Sequence, residues 1–367
     1  MAKLTEADKR VIERLVSEAR TVIKHVNDGK NPDVKIPLRA LSNVSFDEKE
    51  GVIRMGTKKQ ERTFFNVGQA KKFLQTFVMA SSIKELVESG KTTSIRDIFY
   101  MCKRPIAGTS QNIFDEQDES DPIVEDLEVM IDSLREELHL FASSKGAMVG
   151  ALTIVDGGDT IDLRKMGTGG WAVPSIVEKS TIEFKKCDAK YVLLVEKDAV
   201  WRRLNEDKFW EKNSCLIIHG GGVPPRGVRR LLRRMNAELR LPVYVLVDND
   251  PWGLYIYSVV KQGSINLAFE SMRMAVPSAK FIGLSSFDAE KYKLPKEVEL
   301  RLNAEDLRRC KEILSYPWFQ KKKWQDEIKH MMAKNRKLEL EAISRKGISF
   351  ISEKYIPDKI NNKDWME

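Results

Sequence analysis

An α/β multidomain chain built around a mostly parallel sheet is the architecture this sequence predicts, and three observations predict it. Val243-Tyr244-Val245-Leu246-Val247 is an unbroken strand-forming run that delivers Asp248, Asn249 and Asp250 before Pro251 stops it. Tyr191-Val192-Leu193-Leu194-Val195 repeats the design and delivers Glu196. Runs apolar on both faces belong to strands covered on both sides, the habit of parallel sheets. The third observation is size: 367 residues, 42% of them hydrophobic, suffice for two or three domains with real cores.

Taken in order, residues 5–26 read as a helix, with Thr5 and Asp8 as a capping box and Val11, Leu15, Ala19, Val22 and Val26 at helical spacing. Such a face packs on the chain's own body or docks a partner protein. Residues 42–55 read as a β-hairpin turning at Asp47-Glu48-Lys49-Glu50-Gly51, and a boundary near Asn66 sets residues 1–66 apart as an N-terminal extension. Phe73, Phe77, Ile83 and Val87 predict a helix over 69–87 that Gly90 stops, and Ser94 with Asp97 caps a short one carrying Ile95, Ile98 and Phe99. Leu127, Ile131, Leu134 and Leu138 predict a third over 124–140, with the acidic residues 115–121 as a solvated loop before it. Three helices followed by the β-prone Gly150-Ala151-Leu152-Thr153-Ile154-Val155 suit a winged-helix module of the helix-turn-helix type over 67–145. That leaves 146–367 for the α/β domain and a helical C-terminal elaboration.

Composition narrows the function. Lys and Arg number 62 against 54 acids, a net charge of +8, and a pI of about 9.1 admits nucleic acid as a partner without establishing it. Cys102, Cys187, Cys215 and Cys310 form no CxxC pair, which argues against a zinc site or a disulfide framework. The first ten residues are too charged for a secretory signal and no run of about 18 apolar residues occurs, so no membrane is expected and the chain reads as intracellular. Gly220-Gly221-Gly222 lacks the Gly-Lys-Ser/Thr sequel of a Walker loop, and no other ATP site is recognisable. His25, His139, His219 and His330 are scattered and receive no chemistry.

The acids carry the chemistry. Asp248 and Asp250, two apart, face one side of a strand, and Glu196 ends a neighbouring one, so three carboxylates converge at the edge where open α/β sheets bind ligands. Hard oxygen donors suit Mg²⁺ rather than zinc. A single acid at a strand end is commonly a helix cap or a turn residue; the set is what carries the reading. Glu followed by Asp-x-Asp on successive units, with the three glycines between, resembles the Toprim domain of topoisomerases, primases and related nucleases. That resemblance alone leaves the reaction open.

Ser94-Ile95-Arg96-Asp97-Ile98-Phe99-Tyr100-Met101 is decisive, because it closely resembles the catalytic segment of the archaeal DNA topoisomerase VI A-subunit family, which the eukaryotic meiotic double-strand-break proteins share. Ala142-Ser143-Ser144-Lys145-Gly146 and Gly167-Thr168-Gly169-Gly170-Trp171-Ala172-Val173-Pro174 extend the resemblance over nearly the whole chain. It implies a winged-helix 5Y-CAP domain bearing a catalytic tyrosine, followed by a Toprim domain. Tyr100 would be the nucleophile, with Phe99 standing where many relatives carry a second tyrosine. A phenol is a weak nucleophile at neutral pH, and Arg96, one turn earlier on the same helical face, would hold the phosphate or favour the phenolate, a salt bridge to a nearby acid being its structural alternative.

The implied reaction is transesterification, giving a 5′-phosphotyrosyl link and a free 3′-hydroxyl that reseals the strand. Mg²⁺ would be held by Glu196, Asp248 and Asp250. Tyrosine and metal would come from different protomers of a homodimer, and a separate B subunit would handle ATP in an A₂B₂ assembly, with the helix over 5–26 as its docking candidate. The whole would be an ATP-dependent type II (IIB) topoisomerase that relaxes and decatenates double-stranded DNA in the cytoplasm, at the nucleoid. The departures from family wording, Asn249 and Trp252, flank the acids without replacing them.

For DNA contact the best candidates are Arg226, Arg229, Arg230, Arg233 and Arg234, an arginine stripe opposite Val228, Leu231, Leu232 and Met235; the other reading is a face paired with acids. Lys145 and Lys103 with Arg104 are lesser candidates. Around Lys321-Lys322-Lys323 and over 334–337 the basic residues face solvent beside a core stripe of Trp324, Ile328 and Met331. Two competing functions remain: a Toprim metal-dependent nuclease with no covalent intermediate, which would not need Tyr100, and a non-catalytic DNA-binding scaffold.

Overall fold

A computed structural model describes residues 4–367, and within it the chain divides into two compact units. The first comprises residues up to Ser45 with Met55–Ser143; the second comprises Phe46–Arg54 with Ser144–Glu367.

In the first unit, helix α1 (Glu6–Asn27) starts at the expected capping box: Thr5 Oγ1 accepts from the Asp8 N–H and the Asp8 carboxylate accepts from the Thr5 N–H. β1 (Asp33–Pro37) pairs antiparallel with a later strand. β2 (Val44–Asp47) and β3 (Val52–Met55) make the expected hairpin, whose tip groups with the second unit, and β4 (Lys59–Thr63) is the partner of β1. Asn66 caps α2 (Val67–Ser89), which Gly90 ends in the left-handed conformation. The boundary expected near Asn66 therefore falls inside one unit, because Val11 and Leu15 of α1 share a core with Met79 and Ile83 of α2. Ser94 caps α3 (Ile95–Cys102), and β5 (Thr93–Ser94) runs parallel to β6 (Leu140–Phe141).

The third helix departs from expectation. α4 spans Gln117–Met130, and only a single 3₁₀ turn, Arg135–Leu138, follows it. The acidic run is largely the start of that helix rather than a solvated loop. Asp118 and Glu119 in its first turn complement the helix dipole, and Lys71 binds Asp115 at 2.8 Å and Glu119 at 3.3 Å. The β-prone stretch at 150–155 lies in the second unit, within the residues expected for the α/β domain.

That unit contains β7 (Ala147–Gly150), β8 (Leu152–Asp156), β9 (Asp159–Asp162), β10 (Trp171–Ala172), β11 (Ile182–Cys187), β12 (Val192–Val195), β13 (Leu216–His219), β14 (Val243–Leu246) and β15 (Lys280–Gly283). A small antiparallel sheet takes the order β11-β8-β9, and the main sheet takes β10-β7-β13-β12-β14-β15. β13, β12, β14 and β15 are parallel; β7 and β10 add an antiparallel edge. Every residue of β12, β13 and β14 is buried, which is why their sequences are continuously apolar. Helices α5 (Asp198–Glu206) and α6 (Phe209–Lys212) carry the chain from β12 to β13, α7 (Arg226–Glu238) from β13 to β14, and α8 (Pro251–Lys261) leaves β14 toward β15. The neighbours β12 and β14 thus lead away in opposite directions, making a topological switch point at their carboxyl ends. Beyond α9 (Ser271–Met274), α10 (Asp288–Lys291) and α11 (Ala304–Ser315), α12 (Lys322–Lys334) buries Trp324, Ile328 and Met331 as their spacing predicts. Among the described residues no helix is long and apolar enough to cross a membrane.

Candidate active site

The tyrosine candidate stands on α3, whose cap bond from the Asp97 N–H to Ser94 Oγ is 3.0 Å. Ile98, Phe99 and Cys102 are buried along one side of this two-turn helix. Phe99 is 4% exposed and Tyr100 57% exposed, so the adjacent aromatic residues divide between packing and presentation. Arg96 is exposed on the same helix. Lys103 donates to the Asp115 carbonyl at 2.6 Å and lies over the Phe99 ring, so it is tied locally.

The acid candidates belong to the second unit. Glu196 directly follows β12, and Asp248 lies two residues past β14, at the switch point. They are neighbours: the Asp248 N–H donates to Glu196 Oε2 at 3.0 Å. Asp248 Oδ1 accepts from the Leu340 N–H at 2.8 Å, and its Oδ2 lies 3.0 Å from Lys197 Nζ. Burial, reinforced by the charge of Asp248, pushes the Glu196 pKa up to about 7. Burial likewise lifts Asp248 to about 6, against the pull of the Leu340 N–H and Lys197.

Asp250 is placed differently from the same-face expectation. The strand ends at Leu246, so strand alternation no longer applies, and Asp250 caps α8 by accepting from the Gly253 N–H at 2.6 Å. Burial raises its pKa too, with the Gly253 N–H opposing. A Cβ on Gly253 would sit 2.2 Å from the Asp248 carbonyl oxygen, so this position accepts no side chain without moving Asp248. Asn249, buried between the acids, donates through Nδ2 to Glu327 at 3.1 Å, and its main chain pairs with Leu338.

Among the described residues no three His, Cys, Asp or Glu side chains are gathered as a ready metal cage. The donor set nevertheless suits a hard divalent cation. Burial raises the pKa values of two adjacent carboxylates, a cost that a bound cation would relieve, and one of them already binds an ammonium group. Sequence patterns do not single out Lys197, nor Leu340 with its flanking Glu339 and Glu341, which lie 3.3 and 2.8 Å from Lys197 Nζ. Burial works against the Lys197 ammonium, but its bonds to Glu341 and Asp248 hold its pKa above the lysine range. The only sequence signal is the Glu196-Lys197 adjacency; the other members lie far along the chain.

Most of the arginine stripe does not face solvent. Arg226 and Arg229 are buried and bind the fully buried Glu270 at 2.6 and 3.0 Å. Arg230 pairs with Glu178 at 2.6 Å, and Arg234 with Glu238 at 2.7 Å and the carbonyls of Val177 and Ile182. Periodicity identifies the face but not the acids and carbonyls that cover it. Arg233 remains partly exposed. Lys145 is exposed and lies against Gly221, in the loop whose Gly222 N–H donates to the main-chain carbonyl of Glu196 at 3.0 Å.

Comparison with known proteins gives a matching division. Residues 191–360 match the family model of the Toprim domain of the topoisomerase 6 A subunit and Spo11. Residues 71–140 match the model described as type IIB DNA topoisomerase. Residues 145–188 match the model described as the all-beta domain in the DNA topoisomerase VI alpha subunit; in the structure they belong to the second unit, where β7 and β10 join the main sheet. The A subunit of type 2 DNA topoisomerase 6 from Hyperthermus butylicus is 42% identical over 99% of this chain and 97% of its own length. That of Pyrococcus abyssi is also 42% identical, over 98% and 96%. The DNA topoisomerase 6 A subunit of Arabidopsis thaliana is 33% identical over 96% of this chain and 79% of its own.

Proposed function

The chain belongs to the topoisomerase VI A-subunit family, and from that membership we propose how its residues divide the work. It is the catalytic, DNA-cleaving subunit of a type IIB DNA topoisomerase, an isomerase of DNA topology with a Toprim domain. Residues 67–145 act as the winged-helix 5Y-CAP element that presents the nucleophile, and the N-terminal helix, whose Val11 and Leu15 pack on the chain itself, docks the ATPase partner through its exposed end at Ile23 and Val26.

Tyr100 Oη attacks a backbone phosphorus, the bond from phosphorus to the 3′-oxygen breaks, and the phenolic proton is balanced by the one that the departing 3′-oxygen takes up. The phosphodiester is exchanged rather than hydrolysed, so attack by the 3′-hydroxyl on the phosphotyrosine restores the strand. Arg96, one turn before Tyr100, presents a guanidinium to the phosphate. Glu196 and Asp248 would hold Mg²⁺, while Asp250 caps α8 and adds negative charge beside them. Mg²⁺, when bound, supplies positive charge against the phosphate oxygens. Tyrosine and carboxylates lie on separate units, and the site is completed across a homodimer that cuts both strands of a duplex. ATP is hydrolysed by a separate B subunit in an A₂B₂ assembly at the nucleoid, and the cycle relaxes and decatenates DNA.

The observation that supports the chemistry best is the exposure of Tyr100 beside a buried Phe99 in a segment with the family's wording. The experiment mixes the chain with its ATPase partner, supercoiled DNA, Mg²⁺ and a non-hydrolysable ATP analogue, and quenches with detergent. Linear DNA carrying protein on its 5′ ends, lost in Tyr100→Phe, is expected. Protein-free breaks that survive the substitution would identify a hydrolytic nuclease instead.

A further inference from the structure

We infer that Lys197 is a tethered cation that occupies Asp248 until a divalent ion arrives, and that Glu339 and Glu341 then take the ammonium over. The inference rests on the metal reading of Glu196 and Asp248. Asp248 has one oxygen, Oδ1, already engaged by the Leu340 N–H, and the other, Oδ2, 3.0 Å from Lys197 Nζ. The oxygen not committed to a main-chain donor is the one the ammonium holds. Two cations on one carboxylate oxygen repel each other, so a metal on Oδ2 favours the departure of Lys197.

Its destination is already in contact. Lys197 Nζ lies 2.8 Å from Glu341 and 3.3 Å from Glu339, whose side chains are half exposed and flank the residue that fixes Asp248. A flexible four-carbon stem lets the ammonium turn from Asp248 to these acids without backbone movement. One short segment, 339–341, therefore fixes the metal carboxylate through its middle N–H and receives the displaced charge on either side. The device limits the charge held by neighbouring carboxylates when the site lacks a metal, and it weakens metal binding by the strength of the contact that must be given up.

The test is Mn²⁺ binding to the full chain, read by calorimetry and by the paramagnetic signal of free Mn²⁺, in a double-mutant cycle. Lys197→Met is expected to tighten Mn²⁺ by roughly threefold to fivefold, the size of one partly exposed charge contact. Glu339→Gln with Glu341→Gln is expected to weaken it when Lys197 is present, since the ammonium then has no other acid to receive it. In the Lys197→Met background the same pair of changes should have much less effect. Equal weakening in both backgrounds means that the charges act only through their summed field, and overturns the hand-over. A folded native chain that binds no Mn²⁺ removes the metal reading and the inference together, whereas additive effects on measurable binding remove only the inference. Thermal unfolding checks each variant, and Lys197→Gln with Glu341→Gln replaces any that does not fold.

Discussion

Glu196 and Asp248 sit in the wrong protonation range for free carboxylates, and the consequence differs with and without metal. A carboxyl group whose pKa is higher folded than unfolded binds its proton more tightly in the native state, so its contribution to stability falls as pH rises through that window. For Glu196 the window runs from 4.5 to about 7. Glu196→Gln removes the effect, and the metal-free variant should exceed the native chain in stability by on the order of 1 kcal/mol at pH 8, with the gap closing toward pH 5, in urea unfolding followed at both values. Metal binding runs the other way, because protons compete for the same oxygens: Mn²⁺ affinity of the native chain should drop as pH falls from 8 to 5.5. A flat profile would mean that these carboxylates are not the ligands. Both acids, and Tyr100, are legible in the sequence, since each belongs to a segment whose local pattern is strong. Lys197 is not, because what gives it meaning is Asp248, Glu339 and Glu341, none of which shares an element with it.

At the scale of elements, the start of α8 shows how tightly the acids are built in. Asp250 caps the helix, Pro251 opens it, and the Gly253 N–H is the donor to Asp250 while its missing side chain leaves room for the Asp248 carbonyl. Gly253→Ala should therefore displace Asp248 and weaken Mn²⁺ by about tenfold to a hundredfold, the usual cost of disturbing the support of a ligand, while circular dichroism stays native. Helix α7 makes the opposite point. Its sequence predicts an arginine face and the helix has one, yet that face is covered by Glu270, Glu178 and Glu238. Periodicity reports which residues share a side of a helix, not whether water or another element meets them. Arg229→Ala leaves Glu270 buried with less positive charge and should cost about 3 kcal/mol in urea unfolding, with the salt dependence of DNA binding unchanged. A variant of native stability whose salt slope became shallower would return this arginine to the DNA surface. The acidic run at the start of α4 resembles a loop for a related reason: its charges serve the first turn of the helix and Lys71, and charge density alone does not show what the charges meet.

Over the whole molecule, the main sheet is readable because parallel strands buried on both faces write themselves as apolar runs, whereas the small β11-β8-β9 sheet is not separable from its neighbours: β9 and β11 are largely polar and exposed, and nothing local assigns them to one domain or another. The proposed division of chemistry between two units has a sharper consequence. Tyr100 lies on one and Glu196 with Asp248 on the other, and the proposed homodimer can combine them within a protomer or across protomers. Mixing a Tyr100→Phe chain with an Asp248→Asn chain, each unable to cleave alone, decides between these. If sites form across protomers, the mixed dimer pairs the intact tyrosine of one chain with the intact carboxylates of the other at one site and two lesions at the second site. It should then nick supercoiled DNA on one strand, leaving one protein-linked 5′ end and no linear product. If sites form within a protomer, each chain carries its own lesion into its own site, and no mixture restores any break. Nicked circles carrying covalent protein, appearing only on mixing after subunit exchange, are the expected result; none at any ratio, with exchange verified by differently tagged chains, would place the whole reaction within one protomer.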